Sequence, residues 1–344
     1  MRTAVFSARP YDRRSLTEAN ERAGSPHQID FLDSPGMSGA TGPRLTPRTA
    51  SLAADHAAIC AFTNDDLGRQ TLAALADLGC RSIVLRCAGF NNLDLDAARE
   101  LDFRIGRVPA YSPHAVAEHT IGLLLAVNRK IHRAHARVRE QNFSLEGLLG
   151  TDLYNKTAVV VGAGAIGSVL ARILVGFGCR VLAVDPVESD ELKSLGVEYR
   201  ELREALPEAT IACLTCPLNE QTHHLINAET ISLMPRGSFL INTARGAVID
   251  TPALIRALKE ERFAGVALDV YEEEESLFFE DRSLSPLLDD VFARLLTFPN
   301  VLITSHQAFF TREALDAIAS TTIENLSAIE RDGAPPKANT VPGL

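Results

Sequence analysis

Thr157-Ala-Val-Val-Val-Gly-Ala-Gly-Ala-Ile-Gly167 sets the architecture of this chain: an apolar run, Thr157 to Val161, passes through Gly162, Gly164 and Gly167 into a helical pattern. The string fits GxGxxG, and strand, turn and helix come in the order that a dinucleotide site requires. The three glycines act differently. Gly162 allows the tight turn, Gly164 lets the backbone approach a pyrophosphate, and Gly167 permits close packing of helix on strand. The helix that opens at Ala165 and Ile166 then holds the phosphates at its N-terminus. The next apolar run, Val181 to Val184, ends in Asp185, close to the roughly 20 residues expected for a ribose-binding acid. Its carboxylate accepts from a ribose 2′-hydroxyl but repels a 2′-phosphate, and Pro186, Val187 and Glu188 supply no Arg to offset that. NAD is therefore the expected cofactor, rather than NADP.

Outward from the fingerprint, a chain of 344 residues exceeds the size at which single cores stop growing, so two domains are expected. Strand and helix signals alternate almost throughout, which predicts an α/β protein with mainly parallel sheets. Strands are expected at 3–7, 29–32, 57–62 and 82–85 in the first part. After the fingerprint strand at 157–161 they are expected at 180–184, 210–216, 238–243, 265–270 and 301–305, a six-stranded doubly wound domain. A C-terminal helix, about Arg312 to Arg331, crosses back to the first domain and makes it discontinuous. The Gly-, Pro-, Ser- and Thr-rich residues 34–47 form a surface loop. One long helix is expected from about Pro113 to Glu140, its apolar first half free to pack between domains or on another subunit.

The net charge of −10 suits a soluble protein and argues against nucleic acid as a partner. No apolar run is long enough for a signal peptide or a membrane span, so no membrane role and a cytoplasmic location are expected. The six cysteines are then free thiols, and Cys213-Leu-Thr-Cys216 is a buried strand rather than a redox or zinc pair. The histidines His114, His119, His132 and His135 lack an accompanying carboxylate pattern, so no metal site is expected.

In open α/β sheets ligands bind at the carboxyl ends of strands. Arg245 follows Asn242-Thr-Ala, Asp269 lies near the end of Gly265 to Val270 with a Glu-rich loop after it, and His306 closes Val301 to Ser305. A cation, an acid and an imidazole thus converge on one sheet edge. Hydride transfer to a 2-oxo acid builds negative charge on the carbonyl oxygen and needs a proton donor and a fixed cation. His306 suits the first role. Arg245 suits the second, because a guanidinium holds a carboxylate by paired hydrogen bonds. A carboxylate beside His306 would favour its protonated form, and composition leaves Glu272, Glu273, Glu274 and Glu275 open for that position. No Tyr is followed four residues later by Lys, and no Cys/His zinc set is present, so two competing nicotinamide chemistries lack their residues.

Five stretches carry a wider likeness: Arg86-Cys-Ala-Gly-Phe-Asn-Asn-Leu-Asp94, Val108-Pro-Ala-Tyr-Ser-Pro-His-Ala-Val-Ala-Glu-His119, Asn142-Phe-Ser-Leu-Glu-Gly147, Leu277-Phe-Phe-Glu-Asp281 and His306-Gln-Ala-Phe-Phe-Thr311. With the fingerprint, they make the chain resemble the NAD-dependent D-isomer-specific 2-hydroxyacid dehydrogenases, and among them the bacterial fermentative D-lactate dehydrogenases. The resemblance spans nearly the whole chain and is weakest at residues 34–56. It implies a Rossmann NAD-binding domain, 108–303, inserted into a discontinuous flavodoxin-like substrate domain, 1–107 with 304–344. Implied too is reversible NADH-dependent reduction of pyruvate to D-lactate. Another 2-oxo acid, such as hydroxypyruvate or phenylpyruvate, is the alternative substrate, and an NAD(H)-sensing binding protein the alternative class.

By the same resemblance Arg245 binds and polarises the substrate, Glu274 pairs with the acid/base His306, and Asp269 contacts the nicotinamide amide. Ala88 and Gly89 present backbone N–H groups to the substrate carboxylate, and Tyr111, Phe309 and Phe62 flank its side chain. Cys216, Pro217, Thr243 and Ala244, at strand ends near the cofactor, complete the expected NAD contacts with Gly162, Gly164, Ala165, Ile166, Gly167 and Asp185. Ala244 stands where relatives usually carry Ser or Thr, and Thr215 where the subgroup often has His. A homodimer or higher homo-oligomer is expected, with the helix after Pro113 as its candidate interface.

Overall fold

The structure is a computed structural model that describes residues 1–33, 41–274, 277–279 and 281–344. Part of the expected 34–47 loop, and Glu275, lie outside the described residues. The chain forms two compact units, Met1–Ser112 with Phe310–Leu344, and Pro113–Phe309. Their edges compare with the 107/108 and 303/304 boundaries expected from the sequence.

In the first unit β1 (Arg2–Val5), β2 (Gln28–Phe31), β3 (Ala58–Ala61), β4 (Ser82–Leu85) and β5 (Arg104–Gly106) form a parallel sheet in the order β2-β1-β3-β4-β5. This is the flavodoxin-like order. Strands β3 and β4 are buried at every position, as apolar runs in a sheet covered on both faces should be. Helices Pro10–Arg22 and Arg312–Asp332 pack on each other. Leu16 and Ala19 from one, and Ala319, Ile323, Leu326 and Ile329 from the other, join Val5, Cys60 and Val84 in one core cluster. The Thr311 side chain caps the C-terminal helix at Ala314 N, and Gly333 ends it at φ 77°, the left-handed stop that glycine adopts without strain.

In the second unit β6 (Thr157–Val161), β7 (Arg180–Val184), β8 (Glu198–Tyr199), β9 (Ile211–Leu214), β10 (Ser238–Asn242), β11 (Phe263–Leu268) and β12 (Val301–Ile303) are again parallel, in the order β12-β11-β10-β9-β6-β7-β8. From β6 the chain winds one way to β8, then restarts on the other side with β9, so the switch point lies between β6 and β9. Alternate side chains build two separate cores. Val159, Val161, Leu214, Leu240 and Leu268 face one, while Ala158, Val160, Cys213, Ile241 and Ala267 face the other, the period of two that a strand imposes.

Four expectations are corrected. Among the described residues the first sheet has five strands rather than four and the second seven rather than six, because β5 and β8 are only 3 and 2 residues long and leave no alternation to read. The expected 113–140 helix is two helices, Pro113–Asn128 and Ile131–Arg139, parted at Lys130, whose φ is 52°. The apolar first half packs inside its own unit, on β10, β11 and helix Ala165–Gly176.

All six cysteines are free and buried. Burial pushes the Cys213 thiol up to about 12 and the Cys216 thiol up to about 11, so CxxC here spans the buried end of β9 and the turn after it, with protonated thiols rather than a redox pair. An aromatic disulfide reagent at pH 8 is therefore expected to leave the native protein unlabelled and to label six thiols after denaturation. Fast labelling of the native chain would contradict this packing.

Candidate active site

The fingerprint turn runs from β6 into helix Ala165–Gly176 with Gly162 at φ 92°. A Cβ on Gly167 would sit 1.9 Å from the Gly162 carbonyl oxygen, so helix and turn touch with no room for a side chain. At Gly164 an added Cβ meets nothing within 4 Å. The same turn is thus closed on the protein side and open on the other. The first-turn N–H groups of Ala165 and Ile166 precede the first intrahelical bond, Ser168 N to Gly164 O (2.8 Å), and are donors left for an anion.

Asp185, at the end of β7, accepts from Ala163 N (2.7 Å) and Val187 N (2.9 Å). A carboxylate offers about four acceptor sites, so two protein donors leave it able to take a ribose hydroxyl. Thr215 donates to Gly162 O (2.7 Å), and the backbone of Cys216, followed by Pro217, packs so close to Gly162 that a Cβ there would lie 2.5 Å from Cys216 N. Thr243 shares a hydrogen bond with Thr120 (2.7 Å), and Ala244 N donates to Asn242 Oδ1 (3.0 Å). These residues fit a dinucleotide: an anion cradle, a ribose acceptor, and a strand-end floor.

Asp269 follows β11 and is fully buried. It accepts from Gln307 N (2.9 Å), Ala308 N (2.8 Å) and the Thr304 hydroxyl, and lies 3.4 Å from His119 Nε2. Burial alone would push this carboxyl up. The bonds from His119, Thr304, Ala308 and Gln307 outweigh it and hold the carboxyl below its usual range. Its carbonyl accepts from His306 N (2.7 Å) while His306 sits at φ 52°, a left-handed backbone that a non-glycine residue keeps only when its surroundings impose it. Asp269, which the resemblance implies as a nicotinamide contact, is in this structure the anchor of the segment that carries His306. Sequence reasoning missed His119 and Thr304 as its partners, and nothing in their local pattern signals the pairing.

His306 Nδ1 donates to Glu274 Oε1 (2.6 Å), and Glu274 Oε2 accepts from Tyr271 N (2.9 Å). Both side chains are about four-fifths buried, at 19% and 20% exposure, and the Phe279 ring lies 5.6 Å from the imidazole. Of the acids the sequence left open, Glu274 reaches His306, whereas Glu272 pairs with His224 (2.6 Å). With Nδ1 engaged, Nε2 is the ring atom left for chemistry.

Arg245 opens the turn after β10. Asn242 Nδ2 donates to its carbonyl (2.9 Å), and a Cβ on Gly246 would lie 2.0 Å from the Tyr271 carbonyl carbon. That contact locks the Arg245 turn against the loop bearing Glu274. The half-buried guanidinium donates to Ala244 O (2.8 Å), and no carboxylate of the described residues forms an ion pair with it.

The remaining expected residues lie in two places. Phe309 closes the second unit and is buried. In the first unit Ala88 and Gly89 sit in the loop after β4, whose shape is held by Arg107 Nη1 to Ala88 O (3.0 Å) and Cys87 Sγ to Gly89 O (3.2 Å). Tyr111 is half-buried. The Arg9 and Arg86 guanidinium carbons lie 5.7 and 5.0 Å from the Phe62 ring centre.

Fold and site together define a dinucleotide-dependent enzyme of the two-unit α/β type. Similarity to known proteins gives the family. Residues 121–308 match the model described as D-isomer specific 2-hydroxyacid dehydrogenase, NAD binding domain. The D-lactate dehydrogenase of Escherichia coli is 47% identical over 96% of this chain and 97% of that protein. Among solved structures, the pyruvate reductase of Chlamydomonas reinhardtii superposes with a TM-score of 0.89 at 39% identity, covering 97% of each chain. The D-lactate dehydrogenase of Aquifex aeolicus, solved with NAD and lactic acid, gives 0.82 at 32% identity over 96% of each. The chain belongs to the D-isomer-specific 2-hydroxyacid dehydrogenase family. It is an NAD-dependent dehydrogenase, and no helix among its described residues is long and apolar enough to cross a membrane.

Because the folded state holds Asp269 below its usual range, its charge stabilises the fold above the unfolded value, about 3.9, and that contribution disappears as pH falls through the folded value. Asp269→Asn is expected to lower stability at pH 7 by about 1–3 kcal/mol, with the gap to wild type narrowing below about pH 4. Denaturant unfolding at both pH values reads this; a gap that widens in acid would contradict it.

Proposed function

We propose that this enzyme reduces pyruvate with NADH to D-lactate, reversibly. The observation behind this reading is the His306–Glu274 pair at 2.6 Å on the strand-end edge that also holds Arg245. Held at the Gly162–Gly167 turn and Asp185, NADH would supply the hydride that the substrate's carbonyl carbon accepts, leaving NAD. The Arg245 guanidinium binds the substrate carboxylate through two N–H groups and polarises the neighbouring carbonyl. His306 Nε2 delivers the proton to the developing oxyanion, and Glu274 holds the ring in register through Nδ1. Ala88 and Gly89 contribute N–H groups to the carboxylate, while Tyr111, Phe309 and Phe62 limit the substrate side chain to methyl size. The cofactor contacts are Gly162, Gly164, Ala165, Ile166, Gly167, Asp185, Cys216, Pro217, Thr243, Ala244 and Asp269. The first unit serves as substrate domain, and the six free thiols suit a reducing cytoplasm.

Initial rates of NADH oxidation with pyruvate, hydroxypyruvate, phenylpyruvate and 2-oxoglutarate test the substrate. Pyruvate is expected to lead, and its product to be consumed by a D-lactate-specific enzyme. A lead for another acid would refute pyruvate while keeping the chemistry. Arg245→Lys is expected to lower kcat/KM for pyruvate by roughly 10²–10³-fold while NADH affinity holds, since an ammonium cannot reproduce the planar fork. Unchanged turnover would remove Arg245 from this role.

The working form proposed is a homodimer or a higher assembly of such pairs. Support comes from residues 131–154. Helix Ile131–Arg139 buries none of its residues, and Phe143, Leu145, Leu149 and Tyr154 beyond it are 72%, 83%, 88% and 66% exposed. Four large apolar side chains exposed within one short segment suit an interaction site, and a second copy of the same segment is its simplest complement. Light scattering is expected to give twice 37.2 kDa or an even multiple, and Leu145→Asp with Leu149→Asp to reduce it to 37.2 kDa. A wild-type mass of one chain would overturn the dimer.

A further inference from the structure

His223 and His224 are consecutive, and consecutive side chains ordinarily diverge: they point to opposite faces of a strand and are not neighbours on a helix. Here the two imidazoles stack with ring centres 4.0 Å apart and planes 24° from parallel. The cause is the backbone, because His224 sits at φ 50°, the left-handed region that a non-glycine residue keeps only when its surroundings impose it. Its main chain is pinned there, N donating to Ala247 O (2.8 Å) and O accepting from Asn227 Nδ2 (2.9 Å).

Opposite the pair stands Glu272. One carboxylate oxygen lies 2.6 Å from His224 Nε2 and the other accepts from Thr251 N (3.4 Å). The Glu272 backbone is fixed as well, since a Cβ on Gly246 would sit 2.3 Å from its N. One ligand atom from each of His223, His224 and Glu272 lies within 4.8 Å of the others.

We propose that His223, His224 and Glu272 form a binding site for a divalent transition-metal ion, with zinc, cobalt or nickel as the class of occupant. Two imidazoles and a carboxylate select those ions over magnesium or calcium, which prefer all-oxygen shells. Bonds of about 2.0–2.2 Å to nitrogen and oxygen place tetrahedral ligand atoms roughly 3.3–3.6 Å apart, so the ion is taken up as the two rings turn out of their stack and the His224–Glu272 pair opens from 2.6 Å. The exposed His223 leaves a fourth position to water and an entry path, while half-buried Glu272 is oriented by Thr251 as carboxylate ligands usually are by an outer shell. The sequence alone hides the set, because Glu272 follows β11 and the histidines follow β9. The ion takes no part in hydride transfer. It clamps the loop after β9 to the turn that continues to Glu274, and the inference is independent of which 2-oxo acid the enzyme reduces.

The test is titration of the purified full chain with Co²⁺ alone, reading the visible absorption of tetrahedral cobalt, followed by displacement with Zn²⁺. One site per chain is expected, weakened at least about tenfold in both His223→Ala and Glu272→Gln, because loss of even an outer-shell partner costs 10–100-fold. A control carrying His132→Ala and His135→Ala keeps the wild-type affinity, and near-ultraviolet circular dichroism confirms that each variant is folded. Absence of the cobalt spectrum in the wild type, wild-type affinity in either site variant, or loss of binding in the control would overturn the site.

Discussion

The active end of the second unit depends on a buried carboxylate. Asp269 sits where β11 ends, removed from water, and an ionised acid persists there only because protein donors replace its hydration. Thr304, Gln307 and Ala308 bind it from the segment after β12, and His119 from the helix after Pro113. Three of those donors belong to one stretch of backbone, so satisfying the charge also fixes the path of that stretch. His306 lies inside it, drawn into a left-handed conformation by the bond from its N–H to the Asp269 carbonyl. The same residue thus solves a burial problem and sets the orientation of the proton donor.

Around this anchor the turns after β10, β11 and β12 restrain one another. Gly246 is the contact between the Arg245 turn and Tyr271, and Tyr271 N in turn holds Glu274, which holds His306. The turns that carry a cation, a carboxylate and an imidazole are therefore fixed by backbone contacts, and the Glu274–His306 bond aligns the last two. That is what electrostatic preorganisation requires, because donors that need not reorient during reaction keep their full effect on developing charge. The cofactor end follows the same rule, with the Gly162 turn pressed between helix Ala165–Gly176 and Cys216 while Gly164 faces open space.

Much of this was legible in the residues. The fingerprint, Asp185 and the polar residues that close apolar runs could be found because parallel strands deliver their chemistry at one edge. The family resemblance chose Glu274 among its acidic neighbours, a choice that charge and spacing could not make, since only the fold of the 271–274 turn separates Glu274 on His306 from Glu272 on His224. Strands β5 and β8 were invisible because elements of 3 and 2 residues carry no period. The break at Lys130 was missed because helical signals continue on both sides of it, and the pairing of His119 with Asp269 because it joins distant segments. What escaped the sequence was long-range contact rather than local preference.

If His306, held by Glu274 and the Asp269 anchor, supplies the proton, its loss should stop the chemistry while the cofactor cradle works on without it. Measuring kcat for pyruvate reduction together with NADH affinity, by fluorescence, in His306→Gln separates the two. Turnover should fall about 10²–10⁴-fold, the usual contribution of a general acid, with NADH affinity unchanged. Turnover within a few-fold of wild type would contradict this role for His306.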